Sequence, residues 1–539
     1  MSRDRTPRTR RHPRVLRGRR PVAAVVSTAI AGAVALALGL TACAGDQGGG
    51  IISTAGTVAF ETPLKIPALA ESSIAADGAR VFDLSAQAGT TEFRPGVPTD
   101  TWGYNGSYLG PTLVAQSGED VRVNVTNDLD AVTTVHWHGM HLPAVMDGGP
   151  HQAIEPGASW QPEWTVDQPA ATLWYHPHPH EASEDQVERG LAGMFIVQDD
   201  AEKALNLPRS YGVDDIPVMV QDRRFDSNGQ FDTSVRGYIG LIGDEVLVNG
   251  TVGPYLDVTT DVVRLRLLNA STARTYDFGF DDGRGFDLIG TDGGLLEAPE
   301  ALSDIRLSPG ERAEVLVNVT AGETVTLRST PPDLGTSAGD SERNAGEDTL
   351  DILELRAADT LTGIGVTPET LVPMDRLDDA DTAVNRSFTL NGYNINNRTM
   401  DLGRIDETVE AGVTEKWTVD NAMPLPHNFH VHGASFEVVR IGTDDPPPEL
   451  TGWKDTIYLE PGRRYELLIR FDGNSDPDFP YMYHCHMLAH EDAGMMGQFV
   501  VVEPGESAGT PPAANAAFRP DAGAPSGSGP RVLQAEHGH

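Results

Sequence analysis

One thirteen-residue segment limits what this chain can become more than any other. Residues 484–496 read His-Cys-His-Met-Leu-Ala-His-Glu-Asp-Ala-Gly-Met-Met, and Cys485 is one of only two cysteines. On a β-strand successive side chains alternate faces, so His484 and His486 point one way and Cys485 the other. Two metal centres can then share three residues, with an electron path of a few covalent bonds between them. Cysteine, histidine and a weakly held methionine form the donor set of a blue-copper electron-transfer site. His490, Met495 and Met496 follow Cys485 closely enough to complete that set.

Three further blocks supply ligands for the second centre: His136-Trp137-His138-Gly139, His176-Pro177-His178 and His427-Asn428-Phe429-His430-Val431-His432. Each contains a His-x-His pair that an extended backbone sets on one face. Ten of the sixteen histidines fall inside the four blocks. One His-x-His alone is as readily a surface pair or a stray zinc ligand. Four blocks, one of them carrying the thiol, are a metal signal, and copper is the metal they fit.

Elsewhere, short runs rich in Val, Thr, Ile and Leu, such as residues 121–125 and 263–267, recur between turn signals in a chain with 57 Gly and 38 Pro. That pattern reads as β-sandwiches and excludes a helix bundle. A chain of 539 residues has room for about two to four domains.

The four blocks resemble the copper motifs of the multicopper oxidases, most closely the three-domain bacterial group of laccases, cuprous oxidases and bilirubin oxidases. The likeness runs over roughly residues 60–503. It includes Gly190-Leu191-Ala192-Gly193, Val248-Asn249-Gly250, the run 264–269, Asp292-Gly293-Gly294 and Gly452-Trp453-Lys454-Asp455. It implies an all-β fold of three cupredoxin-like Greek-key β-sandwich domains, near 59–198, 209–357 and 385–503. A copper cluster would lie between the first and last, with the second domain as a spacer.

Carried over by residue, the resemblance implies four copper ions per chain. His427, Cys485 and His490 would hold the type 1 copper, with Met495 as axial ligand and Met496 as its rival. His136 and His430 would hold the type 2 copper, and His138, His176, His178, His432, His484 and His486 the type 3 pair. Asp147 and Glu491 match positions used for proton delivery. Reducing dioxygen to water consumes four protons, which side chains must relay. The family places the edge of His427 near the surface, where a donor gives up one electron. His141, His151 and His180 match no ligand and read as supporting or rim residues.

The donor is less constrained. Dedicated cuprous oxidases of this group carry a methionine-rich segment over the type 1 site and an acid shortly before its first histidine. Here the run into His427 is Asn421-Ala422-Met423-Pro424-Leu425-Pro426, and Met374, Met400 and Met423 are scattered. A copper(I) substrate asks for soft thioethers. The expected reaction is therefore laccase-like oxidation of phenols and aromatic amines by dioxygen. The alternatives are a cuprous oxidase for copper tolerance, a copper nitrite reductase and a non-catalytic copper-binding protein.

Residues 1–42 hold nine arginines, then an apolar run that ends in Leu40-Thr41-Ala42-Cys43. This reads as a secretory signal of lipoprotein type, cut before a lipidated Cys43, with Arg10-Arg11 and Arg19-Arg20 also suiting twin-arginine export. Cys485 would then be the only thiol left. Residues 43–58 read as a tether, 333–349 as a mobile loop and 504–539 as a disordered tail. Without residues 1–42 the chain keeps 31 basic and 77 acidic residues, a net charge near −46. Such a surface repels nucleic acid and anionic membranes. The expected partners are small-molecule donors and dioxygen, with no nucleic acid and no membrane contact beyond the lipid. The chain is expected to be an exported, cell-envelope monomer.

Overall fold

The computed structural model describes residues 50–365 and 367–512. The signal segment, Cys43 and the histidines His537 and His539 lie outside the described residues. Among the described residues six β-sheets pack face to face in pairs around three hydrophobic cores. The alternation seen in sequence is what builds them. The strand Asp120–Asn127 buries Val121, Val123 and Val125 and turns Arg122 and Asn124 outward, the pattern of a sheet with one face in a core.

The first pair joins a sheet containing Arg80–Arg94 and Asp120–Asn127 to a four-stranded sheet ordered Leu113–Gln116, Gly193–Gln198, Ala171–His176 and His136–His138. Its core gathers Leu84, Val123, Trp137, Leu173 and Phe195. The second pair is built around Val262–Asn269, a strand buried at every position. Val263, Leu265 and Leu267 enter the second core, while Arg264 and Arg266 face the first pair. There Arg266 donates to Asp215 Oδ1 at 2.7 Å and to Glu314 Oε1 at 2.8 Å, and Thr172 of the first pair donates to the same Glu314 oxygen at 2.6 Å. Arg264 pairs with Glu314 and, at 2.7 Å, with Glu202. The third pair sets Val384–Asn391 and Thr414–Asn421 against Asp476–His484, His427–Val431 and Met496–Val502. Trp417, Phe388, Tyr483 and Phe499 fill its core, and Cys485 and Met495 belong to the same cluster.

Among the described residues, parts of three segments expected to be loose are held. In the supposed tether, Thr54 N donates to Thr349 O at 2.9 Å and Gly56 N to Asp351 Oδ2 at 2.7 Å, so this stretch docks on the second pair. The loop 333–349 contains a helix, Ala338–Arg343, capped by Ser337. In the supposed tail, Gly509 N donates to Pro477 O at 2.8 Å and Thr510 N to Asp478 Oδ1 at 3.1 Å. Backbone groups that meet an acceptor beat the entropy of a polar, Gly-rich segment, and composition alone does not show where those acceptors lie. Among the described residues no helix is long and apolar enough to cross a membrane.

Candidate metal centre

Strand pairing brings the histidine blocks together. In the first sheet pair His176 stands opposite His136 and Trp174 opposite His138. In the third, His430 stands opposite His484, which pairs in turn with Met496. The ten histidines of the four blocks and Cys485 are all buried, and they converge at two places.

The first place holds His427, Cys485 and His490. His427 Nδ1 and His490 Nδ1 are 3.1 Å apart, and Cys485 Sγ lies 3.6 and 3.5 Å from them. One ion bound at about 2.0 Å to nitrogen and about 2.3 Å to sulfur, as at thiolate–imidazole zinc sites, needs edges of about 3.4 to 3.7 Å at near-trigonal angles. The triangle fits with small adjustments. His490 Nε2 donates to the Tyr238 carbonyl at 3.1 Å, which leaves Nδ1 as the free lone pair. Burial pushes the Cys485 thiol up to about 12, so the proton stays until a metal displaces it. Burial lowers His490 to about 4 and His427 well below its usual range, which keeps both imidazoles neutral and able to ligate. Met495 is fully buried beside them. Its N–H donates to His490 O at 2.9 Å and its carbonyl accepts from Cys485 N at 3.1 Å. Met496 begins the next strand and lies outside the core cluster that holds Cys485 and Met495.

The second place contains the other eight histidines. His178, His432 and His484 aim their Nε2 atoms at one point, with separations from His484 of 3.2 and 3.1 Å. Their Nδ1 atoms face carboxylates. Glu491 sits 3.2 Å from both His178 and His484, and Asp147 Oδ2 sits 2.7 Å from His432. His138 Nδ1 and His486 Nε2 each lie 3.4 Å from His176 Nε2. Between these triads, His136 Nε2 and His430 Nε2 are buried with no hydrogen-bond partner. The Nδ1 of His136 donates to Asp147 O at 3.0 Å and that of His430 to Asp455 O at 2.9 Å. Where the outward nitrogen faces an acceptor it holds the proton, so the inward nitrogen presents a lone pair. Lone pairs aimed at one another repel unless cations lie between them, and neutral imidazoles oriented by acceptors behind them are what metal ligation requires. Burial first, and neighbouring rings second, hold His138, His178, His430, His432 and His486 well below the usual histidine range.

The two places are joined through the chain itself, since Cys485 lies between His484 and His486. Ser183 donates to Glu491, and burial next to Asp492 raises the Glu491 carboxyl well above its usual range.

Several supporting residues carry no mark in the ligand pattern. Asp455 Oδ1 accepts at 3.1 Å from His138 Nε2, and Arg312 of the second sheet pair holds that carboxylate with both terminal nitrogens. Gly310 has φ +88° and a Cβ there would come within 3.2 Å of His138 and His486. The second pair is therefore part of the site's wall and not a spacer. Asp455 and Asp292 did fall in the runs that resemble the oxidases, which was the available signal. Asn428 Oδ1 accepts from Cys485 Sγ at 3.4 Å. His151 meets Gln498 at 2.9 Å and His141 meets Ser435 at 3.1 Å, each tying the first pair to the third. His180 lies 3.6 Å from Glu181. The expectation of a surface edge on His427 is corrected: the residue is 0% exposed, and Tyr238 and Tyr393 cover its partner His490.

Known proteins share this architecture. Two family models described as multicopper oxidase match residues 85–202 and 367–505. Multicopper oxidase mco of Staphylococcus epidermidis is 35% identical over 81% of this chain and 91% of its own length. Cell division protein FtsP of Salmonella typhimurium is 36% identical over 86% of this chain and 97% of its own. The crystal structure of a laccase from Pediococcus acidilactici superposes with a TM-score of 0.76 at 34% identity, covering 85% of this chain and 98% of that one. With two family models, full-length relatives and a buried thiolate–imidazole site beside eight inward-facing histidines, the chain belongs to the copper-binding multicopper oxidase family.

Proposed function

We propose that the chain is a laccase-like oxidase that takes single electrons from phenolic or aromatic-amine donors and reduces dioxygen to water. The observation that carries this reading is the complete set of converging lone pairs, two triads with His136 and His430 between them, next to the Cys485 triangle. His427, Cys485, His490 and Met495 would hold the type 1 copper, His136 and His430 the type 2 copper, and the two triads the type 3 pair. Bound there, copper supplies one-electron exchange at the outer site and multi-electron reduction of dioxygen at the inner one.

The chain's own residues do the rest. Cys485 offers a covalent path to His484 and His486. Through their carboxylates Glu491 and Asp147 orient three of the cluster imidazoles and in this reading pass protons inward, with the Ser183 hydroxyl next in line behind Glu491. Burial of the cluster keeps donors away from dioxygen, so the outer site alone selects them.

Export as a lipoprotein through Cys43, into the periplasm or to the cell exterior, and a monomeric state complete the proposal. The likeness to cell division protein FtsP supports a second reading, a role in cell division. Such a role by itself has no use for eight buried, converging histidines. Metal analysis and oxygen uptake test the proposal together. About four copper ions per chain and phenol-dependent uptake at four electrons per dioxygen are expected. About one copper and no uptake would support the cell-division reading, and nitrite reduction in place of oxygen uptake would point to a nitrite reductase.

A further inference from the structure

The outer metal site has no open histidine edge. His427 and His490 are both 0% exposed, and two tyrosines lie against His490. Tyr238 and Tyr393 stack with ring centroids 5.6 Å apart and planes 19° from parallel. Each also meets the His490 ring edge-on, with centroids at 5.4 and 5.2 Å. Tyr393 is 38% exposed and Tyr238 half-buried. One path from solvent to the metal ligands therefore runs through two stacked phenol rings.

Both tyrosines sit in turns. Tyr393 occupies a two-residue turn, Gly392-Tyr393, closed by pairing of Asn391 with Asn394. Tyr238 occupies a turn in which Gly237 N donates to Gly240 O at 2.8 Å. Gly240 has φ +130°, and a Cβ there would lie 2.7 Å from Glu184 Oε1 and 3.1 Å from Ala489 Cβ. Glu184 Oε1 also accepts from Leu241 N at 3.0 Å, and Ile239 is buried in the third core. A segment tied down immediately after Tyr238 fixes its backbone.

We propose that Tyr393, backed by Tyr238, is the docking platform for a planar aromatic donor and the point of electron entry. This rests on the oxidase reading above and names its donor contact. A phenol stacked on Tyr393 loses its hydroxyl proton to water and one electron. That electron crosses the paired rings and His490 and reduces a copper(II) ion held with Cys485 to copper(I). The phenol leaves as a phenoxyl radical, and the tyrosines are unchanged. Offset stacking on an exposed ring favours flat, electron-rich donors, whereas a copper(I) donor would need soft thioethers.

The test uses the full copper-loaded chain, reduced and kept under nitrogen, with 1,2-dimethoxybenzene as a donor-shaped probe that has no hydroxyl to oxidise. Binding is read by saturation-transfer NMR for wild type, Tyr393→Phe and Tyr393→Ala. Wild type and Tyr393→Phe are expected to bind alike, and Tyr393→Ala about ten-fold more weakly. In turnover with a methoxyphenol, Tyr393→Ala is expected to raise KM by a similar factor and to lower kcat, because the ring through which the electron enters is gone. Equal probe binding by Tyr393→Ala and wild type, or no binding by wild type, overturns the platform. A wild-type enzyme that binds the probe but oxidises no phenol overturns the oxidase reading and leaves the platform standing.

Discussion

Arg312 holds Asp455 at both ends: Nη1 lies 2.7 Å from Oδ1 and Nη2 2.6 Å from Oδ2, with neither side chain exposed. The same carboxylate faces His138, and its main-chain carbonyl accepts from His430. One guanidinium from the second sheet pair thus steadies two cluster histidines that come from the first and third.

Replacing Arg312 by leucine leaves the Asp455 charge buried and unpaired. Losing one partner of a buried ion pair costs about 3–5 kcal/mol. Urea unfolding of Arg312→Leu should show a loss of that order together with reduced copper content. A midpoint equal to that of wild type would show that the pair carries no such load.

Gly310→Ala tests the wall of the cluster directly. The left-handed φ of +88° costs an alanine about 1–2 kcal/mol, and its Cβ crowds His138 and His486. The cluster copper should fall while the blue absorption of the thiolate site persists. Loss of both signals in parallel would indicate general unfolding and not a local clash.

Cys485→Ser separates the two centres in the other direction. The blue band should vanish and copper content should drop by about one in four, with the cluster still occupied. Oxygen uptake with phenols should cease, because electrons lose both their acceptor and their path to His484 and His486. Retained blue colour would contradict the assignment of the thiol.

Glu314 sets an acid limit on stability. Burial alone would raise its carboxyl, but the charges of Arg264 and Arg266 outweigh it and hold the group near 2, against 4.5 for an unperturbed glutamate. A folded value below the unfolded one means stabilisation that is present above about pH 4.5 and is lost as pH falls toward 2. The full linkage amounts to about 3 kcal/mol. Glu314→Gln should flatten the stability profile across that window in calorimetry, and an unchanged profile would remove Glu314 from the acid response.

The parts of this molecule legible in sequence were those whose signal is local. His-x-His pairs and the 484–496 run announce themselves because strand alternation turns spacing into a shared face. The alternating valines of 121–125 reveal a sheet with one face on a core in the same way. Arg312 and Asp455 are 143 positions apart, and nothing near either residue signals that the other exists. Gly310 looks like any turn glycine until His138 and His486 are set against it. The covering of His490 depends in part on Tyr238, which lies in a loop of another sheet pair. The docking of residues 52–56 and 509–510 depends on acceptors far away in the chain.

The most direct test of the central claim is oxygen uptake by the copper-loaded soluble form, residues 44–539, comparing a methoxyphenol with copper(I) held in a stabilising ligand. Faster turnover of the phenol, at four electrons for each dioxygen, is the result this account predicts. A strong preference for copper(I), with little turnover of phenols, would contradict it and make the chain a cuprous oxidase.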